Sequence, residues 1–443
     1  MSARENWGSR FGFIMAAAGS AIGLGNIWRF PYITGANGGG AFLLIYLGII
    51  IAFGLSLLMA EFVLGRTAQR NPVGTFRQLG GGAWPVVGYM GVFTGFVILS
   101  FYIVVAGWTL AYIVMMAQGA LDDASADKLA GVFSGFVATP FAPIIYAAIF
   151  MLLVALIVVG GIGKGIERWN KILMPSLFVL LLILVVRAVT LPGAAEGLKF
   201  YLMPDFSKVS AKTFYDAISQ AFFSMSIGMG AMMTYGSYLS KDENLPGAAL
   251  SVALLDCGAA FLAGLMIIPA VFAAGLSPSA GPGLTFITLP AVFAALPFGN
   301  LFGVLFFALL AIAALTSAIS ILEPVVAYFA DEHKASRVRT VCLASLLAFL
   351  LSIPASLSFG IWSGHTIAGK TIFDALDFLA NNLLLPVGGL LTAFFVGWLW
   401  SGKALAAISN DGRLRQPWAP VWIFALRFIA PIGIIWILVV NFI

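Results

Sequence analysis

Runs of about twenty apolar residues recur along this chain, and they restrict its fold more than any other feature. FLLIYLGIIIAFGLSLLMAEFVL (42–64) and IIYAAIFMLLVALIVVGGIG (144–163) are two of them. A helix of that length rises about 30 Å, the thickness of a bilayer's hydrocarbon. Backbone groups in hydrocarbon must be paired internally, so only helices and closed barrels span it. The alternation of short strands that marks a barrel is absent, and the chain reads as an all-α polytopic membrane protein. Charged residues make up 9% of it against 61% hydrophobic, where a soluble domain carries about 25% charged. Eleven transmembrane helices are expected, at roughly 8–32, 39–67, 86–118, 140–160, 166–190, 213–239, 247–274, 301–330, 337–356, 372–400 and 418–442, here numbered spans 1 to 11. The first apolar run continues through 19–32 without a small-residue cleavage site, so it is expected to be a span and not a leader. The segment 284–297 is too short and proline-bounded to cross, and is expected to lie across the outer face.

The net charge of +5 could suggest an anionic partner, but its placement is a topological signal. With the N-terminus cytoplasmic, the inner connections hold Arg66, Arg70, Arg77, Lys164, Lys241, Lys334, Arg337, Arg339 and Arg413 among others, while the acidic run DDASAD (122–127) falls outside. This positive-inside pattern predicts a multi-pass protein with its N-terminus cytoplasmic and, because the span count is odd, its C-terminus outside. It leaves nucleic acid without support as a partner. Cys257 and Cys342 both lie in apolar segments, which disfavours a disulfide. The two histidines, His333 and His365, are expected in loops on opposite faces. No nucleophile–base or metal-ligand spacing is present, so an enzyme has little support.

GSAIGLGNIWRFPY (19–32) sits inside span 1, where it is expensive. Glycine weakens a helix interior by roughly 1 kcal/mol relative to alanine and proline by about 3; arginine near mid-membrane adds on the order of 2.5–3.5 kcal/mol. A lone G-x-G in a span ordinarily serves close helix packing. Here Ser20, Asn26 and Arg29 accompany it. SAIGLG (20–25) also has an echo in MSIGMG (225–230) of span 6, near Gln220, Ser224 and Ser226. Five spans separate the copies, an odd number, so equivalent helices would cross in opposite directions. That suggests an inverted 5+5 repeat with discontinuous helices 1 and 6: residues 1–190 carry spans 1–5, 191–400 carry spans 6–10, and 401–443 form an inner loop and span 11. Glycine-interrupted helices in matching positions of two halves point to a transporter's central site. In so glycine-rich a chain, a chance match stays open on these residues alone.

Unwound turns need partners for their carbonyls and amides. Helix N-termini suit a carboxylate, while freed carbonyls with hydroxyl and amide oxygens suit a hard cation such as sodium. An amino acid zwitterion needs both kinds of partner. Asp256, in SVALLDCGAAFLAG of span 7, is an intramembrane carboxylate and so a functional-site hypothesis; the alternative, pairing with a basic residue, has no obvious candidate nearby. Thr316 and Ser317, adjacent in AALTSAIS (313–320) of span 8, could equally bond to their own backbone.

Together with NGGGAF (37–42), KGIERWNKILMP (164–175), QAFFSMSIGMGAMMTYGSY (220–238) and ALTSAISILEP (314–324), these motifs resemble the neurotransmitter:sodium symporters over nearly the whole chain. Length and span count are similar to the bacterial eleven-helix branch. The resemblance implies a sodium-coupled importer of hydrophobic (aliphatic or aromatic) L-amino acids, with spans 1, 2, 6 and 7 rocking against the rest. Carried over by motif, sodium site 1 takes the Ala21 carbonyl and the side chains of Asn26, Ser224 and Asp256, completed by the substrate carboxylate. Sodium site 2 takes the carbonyls of Gly19, Ile22 and Ala313 with the hydroxyls of Thr316 and Ser317. The substrate would lie against Ser20, Ala21, Gly23, Gly25 and Ser224, with Tyr102 donating to its carboxylate. Ile98, Phe223, Ser226, Met229, Ser317 and Ile321 would surround its side chain.

Three positions refine what the resemblance implies. Gly23 stands where monoamine carriers place an aspartate, which favours substrates bearing their own carboxylate. Asp256 stands where many members have asparagine, near the anion site of chloride-dependent relatives, so chloride should be dispensable. Ala260 occupies the place of the glutamate that does this in a bacterial leucine-transporting member. Met229 replaces a phenylalanine of that member, and a flexible thioether repacks around guests of different shape. Arg29 and Asp377 resemble an outer charged gate with Gln220 beside it and Tyr102 and Phe223 as a lid beneath. Arg4 and Asp331, covered by Trp7, resemble an inner gate. Gly165 and Pro175 bracket a part of span 5 that would unwind to admit water to the second sodium; a loop-edge glycine and a mid-helix proline account for them equally well.

Two rivals use the same residues. One is a proton-coupled or sodium-independent carrier with Asp256 as proton site; the other is a sensor that binds amino acid without moving it. The Thr316–Ser317 pair favours sodium, and gate residues at both faces favour transport. The expected partners are two co-transported Na+ ions, a hydrophobic L-amino acid and the bilayer, with one chain sufficing for transport.

Overall fold

The computed structural model of the chain describes residues 5–121, 126–276 and 283–442. Among these, nine helices are long and apolar enough to cross a membrane: Gly40–Ala68, Pro85–Ala117, Ala142–Val159, Ile162–Val189, Leu245–Ala273, Gly299–His333, Arg337–Leu357, Ile372–Leu399 and Ala419–Val440. They are spans 2–5 and 7–11. Span 1 is a pair, Arg10–Ala21 and Gly25–Ala36, bent by 51°. Span 6 is also a pair, Ala211–Ser224 and Ala231–Gly236, joined by six non-helical residues, 225–230. The two interrupted helices therefore stand five crossings apart and run in opposite senses.

Local sequence explains the helix ends. Ser9 and Asn244 cap spans 1 and 7 by accepting from Gly12 and Gly247, as short polar side chains do at N-caps. Prolines open spans 3, 4, 7 and 11 within the first turn, where the missing N–H is no loss. Several spans contain a wide π-type turn, as at Ile50–Gly54 and Phe378–Leu384.

Spans 3 and 8 form the enclosed centre, packed along each other, while spans 4, 5 and 11 turn large apolar residues such as Leu156, Val186 and Ile432 outward. Such outward faces suit lipid. Because lipid is as apolar as leucine, helix contacts rely on small residues that admit close approach. A Cβ on Gly107 of span 3 would stand 2.7 Å from the Ala147 backbone of span 4, and one on Gly65 would strike the Met233 carbonyl.

One expectation changes, and two features are added. The segment after span 7 folds as the helix Leu284–Ala294, and one of its sides is buried in the protein. Phe286 is 1% exposed, with ring centroids of Trp108, Tyr112, Phe133 and Phe307 within 5.1–5.9 Å. The loop between spans 9 and 10 carries a small hairpin, Thr366–Ile367 with Lys370–Thr371. Ala368 and Gly369, at φ 50° and 78°, supply the two-residue turn. His333 is the last residue of the span 8 helix and not part of a loop.

Candidate functional site

Both interruptions lie in the enclosed middle, and most of the backbone groups they release can be traced to partners. In span 1 the chain leaves the helix at Ile22 (φ −82°, ψ 98°). Asn26 accepts the Gly23 N–H at 3.2 Å, and Gln220 donates to the Gly25 carbonyl at 2.9 Å. Ser317 Oγ lies 3.3, 3.3 and 3.5 Å from the carbonyls of Gly19, Ser20 and Ile22. In span 6 the backbone turns left-handed at Ser226 (φ 53°), Gly228 (φ 90°) and Gly230 (φ 74°). Glycine meets that requirement without steric cost, and at 228 a Cβ would also strike the Leu385 carbonyl. The Gly228 and Met233 N–H groups donate to Glu61 of span 2 at 2.7 and 3.2 Å. Ser226 Oγ donates to the Ser20 carbonyl at 2.8 Å, which ties one break to the other.

One oxygen cluster forms around Asp256, which is fully buried. Its Oδ1 accepts from Asn26 Nδ2 at 2.8 Å and from Ser224 Oγ at 2.7 Å; Tyr46 donates to its Oδ2 at 3.5 Å. No basic side chain among the described residues pairs with it. A buried carboxylate without a protein cation calls for a bound cation or a proton. Ala21 lies one residue beyond the Ser20 carbonyl that Ser226 binds.

The second cluster lies between spans 1 and 8. Thr316 Oγ1 is 3.1 Å from the Ala313 carbonyl and 3.2 Å from that of Ile312, a bond within its own helix. Ser317, by contrast, reaches across to span 1. Ser317 thus faces the Gly19 and Ile22 carbonyls, while the neighbouring Thr316 stays on the Ala313 carbonyl of its own helix. Gly19 permits the approach, since a Cβ there would stand 3.0 Å from Thr316 Cβ and strike Asn170.

Between the clusters is a cavity whose wall includes every residue expected around the substrate except Ser224, which is turned to Asp256. Leu24, Asn381 and Leu385 complete it. Its surface is apolar apart from a few groups. Ser20 Oγ, the Tyr102 hydroxyl and Asn381 Oδ1 are buried without a hydrogen-bond partner among the described residues. A Cβ on Gly23 would stand 2.5 Å from Ser317 Oγ and 3.2 Å from the Tyr102 hydroxyl; one on Gly25 would stand 2.7 Å from the Phe223 ring. A second cavity of about 380 Å³ shares Leu24, Tyr102, Phe223 and Asn381 with the first, and Arg29, Asp374 and Asp377 also line it.

The gate residues are placed less simply. Arg29 and Asp377 share the larger cavity's wall but do not meet as an ion pair. Arg29 donates to Ser219 Oγ at 3.0 Å with its guanidinium 5.3 Å from the Phe223 ring centroid, and Asp377 accepts from Asn381 at 2.7 Å. Each has taken a nearer partner. Gln220 is fully buried and donates to the Gly25 carbonyl. At the other end, Trp7 donates to the Tyr235 carbonyl at 3.0 Å and meets Tyr235 and Tyr238 edge-on. Asp331 accepts from the Asn71 backbone at 2.9 Å; Arg4 lies outside the described residues. In span 5, a wide turn at Ile162–Glu167 leads into a helix that runs on through Pro175, so the stretch from Gly165 to Pro175 is wound.

Two buried acids escaped the sequence reading. Glu61 pairs the amides of the span 6 break. Glu323 accepts from both Arg337 terminal nitrogens at 3.0 and 2.5 Å and from Tyr238 at 2.8 Å. Both stand in apolar runs, where the criterion applied to Asp256 would have found them. For Asn381 and Leu385 no comparable signal exists, because which face of span 10 turns inward is set by packing.

Interrupted helices around an enclosed cavity, with flanking oxygen clusters and an apolar helical scaffold, define a secondary transporter of the membrane. Residues 4–128 and 141–443 match the sodium:neurotransmitter symporter family. The chain belongs to that family, and so is a sodium-dependent transporter and not an enzyme. It is 43% identical over 431 residues to an uncharacterised sodium-dependent transporter of Bacillus subtilis, YhdH, covering 97% of this chain and 96% of that one. It is 28% identical to the human sodium- and chloride-dependent taurine transporter, over 94% of this chain and 75% of that one. The crystal structure of MhsT in complex with L-phenylalanine is similar throughout: TM-score 0.91, 50% identity, 99% of this chain and all of that one.

Proposed function

We propose that this protein imports a hydrophobic L-amino acid together with two sodium ions and without chloride. The observation that carries the reading is the Asp256–Asn26–Ser224 cluster, buried beside a cavity, with no protein cation on Asp256 and no partner for the Tyr102 and Ser20 hydroxyls among the described residues. In this reading, one sodium neutralises Asp256 and meets the substrate carboxylate from the other side, so neither binds well alone. The Ala21 carbonyl and the side chains of Asn26 and Ser224 complete that sodium site, and Tyr102 donates to the substrate carboxylate. The second sodium joins spans 1 and 8 through Gly19, Ile22, Ala313, Thr316 and Ser317. Ile98, Phe223, Met229, Ile321 and Leu385 give a side chain a largely apolar lining. L-phenylalanine in MhsT supports that substrate class. Asp256 supplies the negative charge for which chloride would otherwise be needed.

The larger cavity, the separated Arg29 and Asp377, the seated Trp7 and the wound span 5 together suit a transporter accessible from outside and closed inside. Residues 1–190 and 191–400 then act as inverted halves and 401–443 as an appendage, in the inner membrane with the N-terminus cytoplasmic, the C-terminus outside and one chain sufficient. Binding of labelled L-phenylalanine to the purified protein tests this. It should require sodium and persist when gluconate replaces chloride; binding in choline alone would overturn the coupling.

A further inference from the structure

Between one set of ends of spans 3, 8 and 9 lies a cleft of about 910 Å³ that the transport site does not use. Val92, Phe93 and Phe96 of span 3 face Leu343 and Leu347 of span 9 across it. From Arg339 to Leu347 the wall runs about 12 Å along the helix, at about 1.5 Å per residue. Phe93 and Leu347 are 52% and 55% exposed, so this wall faces lipid and is not part of the packed interior.

The rim is basic, with His333, Lys334 and Arg339. His333 Nε2 lies 3.2 Å from the Tyr328 hydroxyl. Neither the Lys334 ammonium nor the Arg339 guanidinium has a protein partner among the described residues. The adjacent acids are engaged: Glu332 with Arg77 and with Asn71 at 3.0 Å, Asp331 with Asn71 at 2.9 Å. Lys334 also ends span 8 in left-handed backbone (φ 51°), where glycine is the usual residue.

We propose that this cleft holds an anionic phospholipid of the inner leaflet, its phosphate on Lys334 and Arg339 and one acyl chain along Phe93, Phe96 and Leu347. Charge complementarity selects this occupant. Two uncompensated cations at the mouth of an apolar, lipid-facing groove fit a net-negative headgroup with an attached chain. A zwitterionic headgroup brings its own amine against them. The placement in the inner leaflet rests on the proposed orientation; it does not depend on the substrate or the ion count. Lys334 also borders the neighbouring cavity lined by Glu5, Asp331 and Tyr238. A bound lipid therefore tethers the end of span 8 beside Asp331 and steadies the closed inner face.

The test uses delipidated full-length protein, with phosphatidylglycerol, phosphatidylcholine or inorganic phosphate added, read by native mass spectrometry and by thermal midpoint. Phosphatidylglycerol should be retained and raise the midpoint, while phosphatidylcholine and phosphate should not. The double variant Lys334→Gln/Arg339→Gln should keep its midpoint in phosphatidylcholine but hold phosphatidylglycerol roughly tenfold or more weakly. Lys403→Gln, elsewhere among the loop cations, should bind as the parent does. Equal retention by the double variant would overturn the site, and so would a shift reproduced by phosphate alone. If the double variant proves unstable, Lys334→Arg/Arg339→Lys must retain phosphatidylglycerol and Lys334→Gln must lose part of it, or the proposal fails. Neither sodium nor amino acid enters this readout, so it fails independently of the transport reading.

Discussion

The two oxygen clusters beside the cavity lie on the same broken helix, yet they are built differently. One is centred on a carboxylate that Asn26 and Ser224 hold from one side. The other consists of neutral carbonyls and hydroxyls, and among the described residues its cross-helix bonds come from Ser317. A buried charge interacts strongly with a cation but is costly when left without one. Neutral oxygens bind more weakly and tolerate release. The difference suits a carrier in which one ion is bound with the substrate while the other holds spans 1 and 8 together until the inner side opens.

The severest challenge to this contrast is a second charge between the clusters. Gly23→Asp should abolish amino acid binding, because its carboxylate would enter the space beside Ser317 and Tyr102 and repel that of the substrate; unimpaired phenylalanine binding would move the pocket elsewhere. Asp256→Asn should weaken sodium binding by about a hundredfold, a loss near 2.7 kcal/mol, and added chloride should restore much of it. Unchanged sodium affinity with no chloride effect would remove Asp256 from the ion site. Ser317→Ala removes a neutral ligand, and its expected loss is about fivefold in sodium affinity, or roughly 1 kcal/mol. Chloride should not rescue it, and rescue would mean that the clusters are not distinct. Ser226→Ala breaks the tie between the two interruptions, and calorimetry should show about 1 kcal/mol less stability with sodium affinity unaltered.

Much of this arrangement was legible in the sequence because its costs are local. Glycine, asparagine and arginine in the middle of an apolar run stand out against their neighbours, and the echo at Ile227 placed the second interruption. Asp256 stood out for the same reason. Glu61 and Glu323 were equally visible and were passed over, the first because no motif singled it out, the second because it closes a motif read for its hydroxyls. What stayed illegible depends on contacts between distant elements. Asn381 and Leu385 reach the cavity through the packing of span 10, and Arg29 meets Ser219 and Phe223 through the packing of span 6 against span 1. The burial of Leu284–Ala294 follows from aromatic residues of spans 3 and 8 and of the helix Ala126–Ala138, which a local window does not connect.

The central claim is sodium-coupled, chloride-independent amino acid import, and uptake into proteoliposomes tests it most directly. Labelled phenylalanine, leucine and tryptophan would be supplied with an inward sodium gradient and gluconate as the only external anion. Accumulation above equilibrium that collapses when choline replaces sodium is the predicted result. Accumulation indifferent to sodium, or one that appears only with chloride, would contradict it.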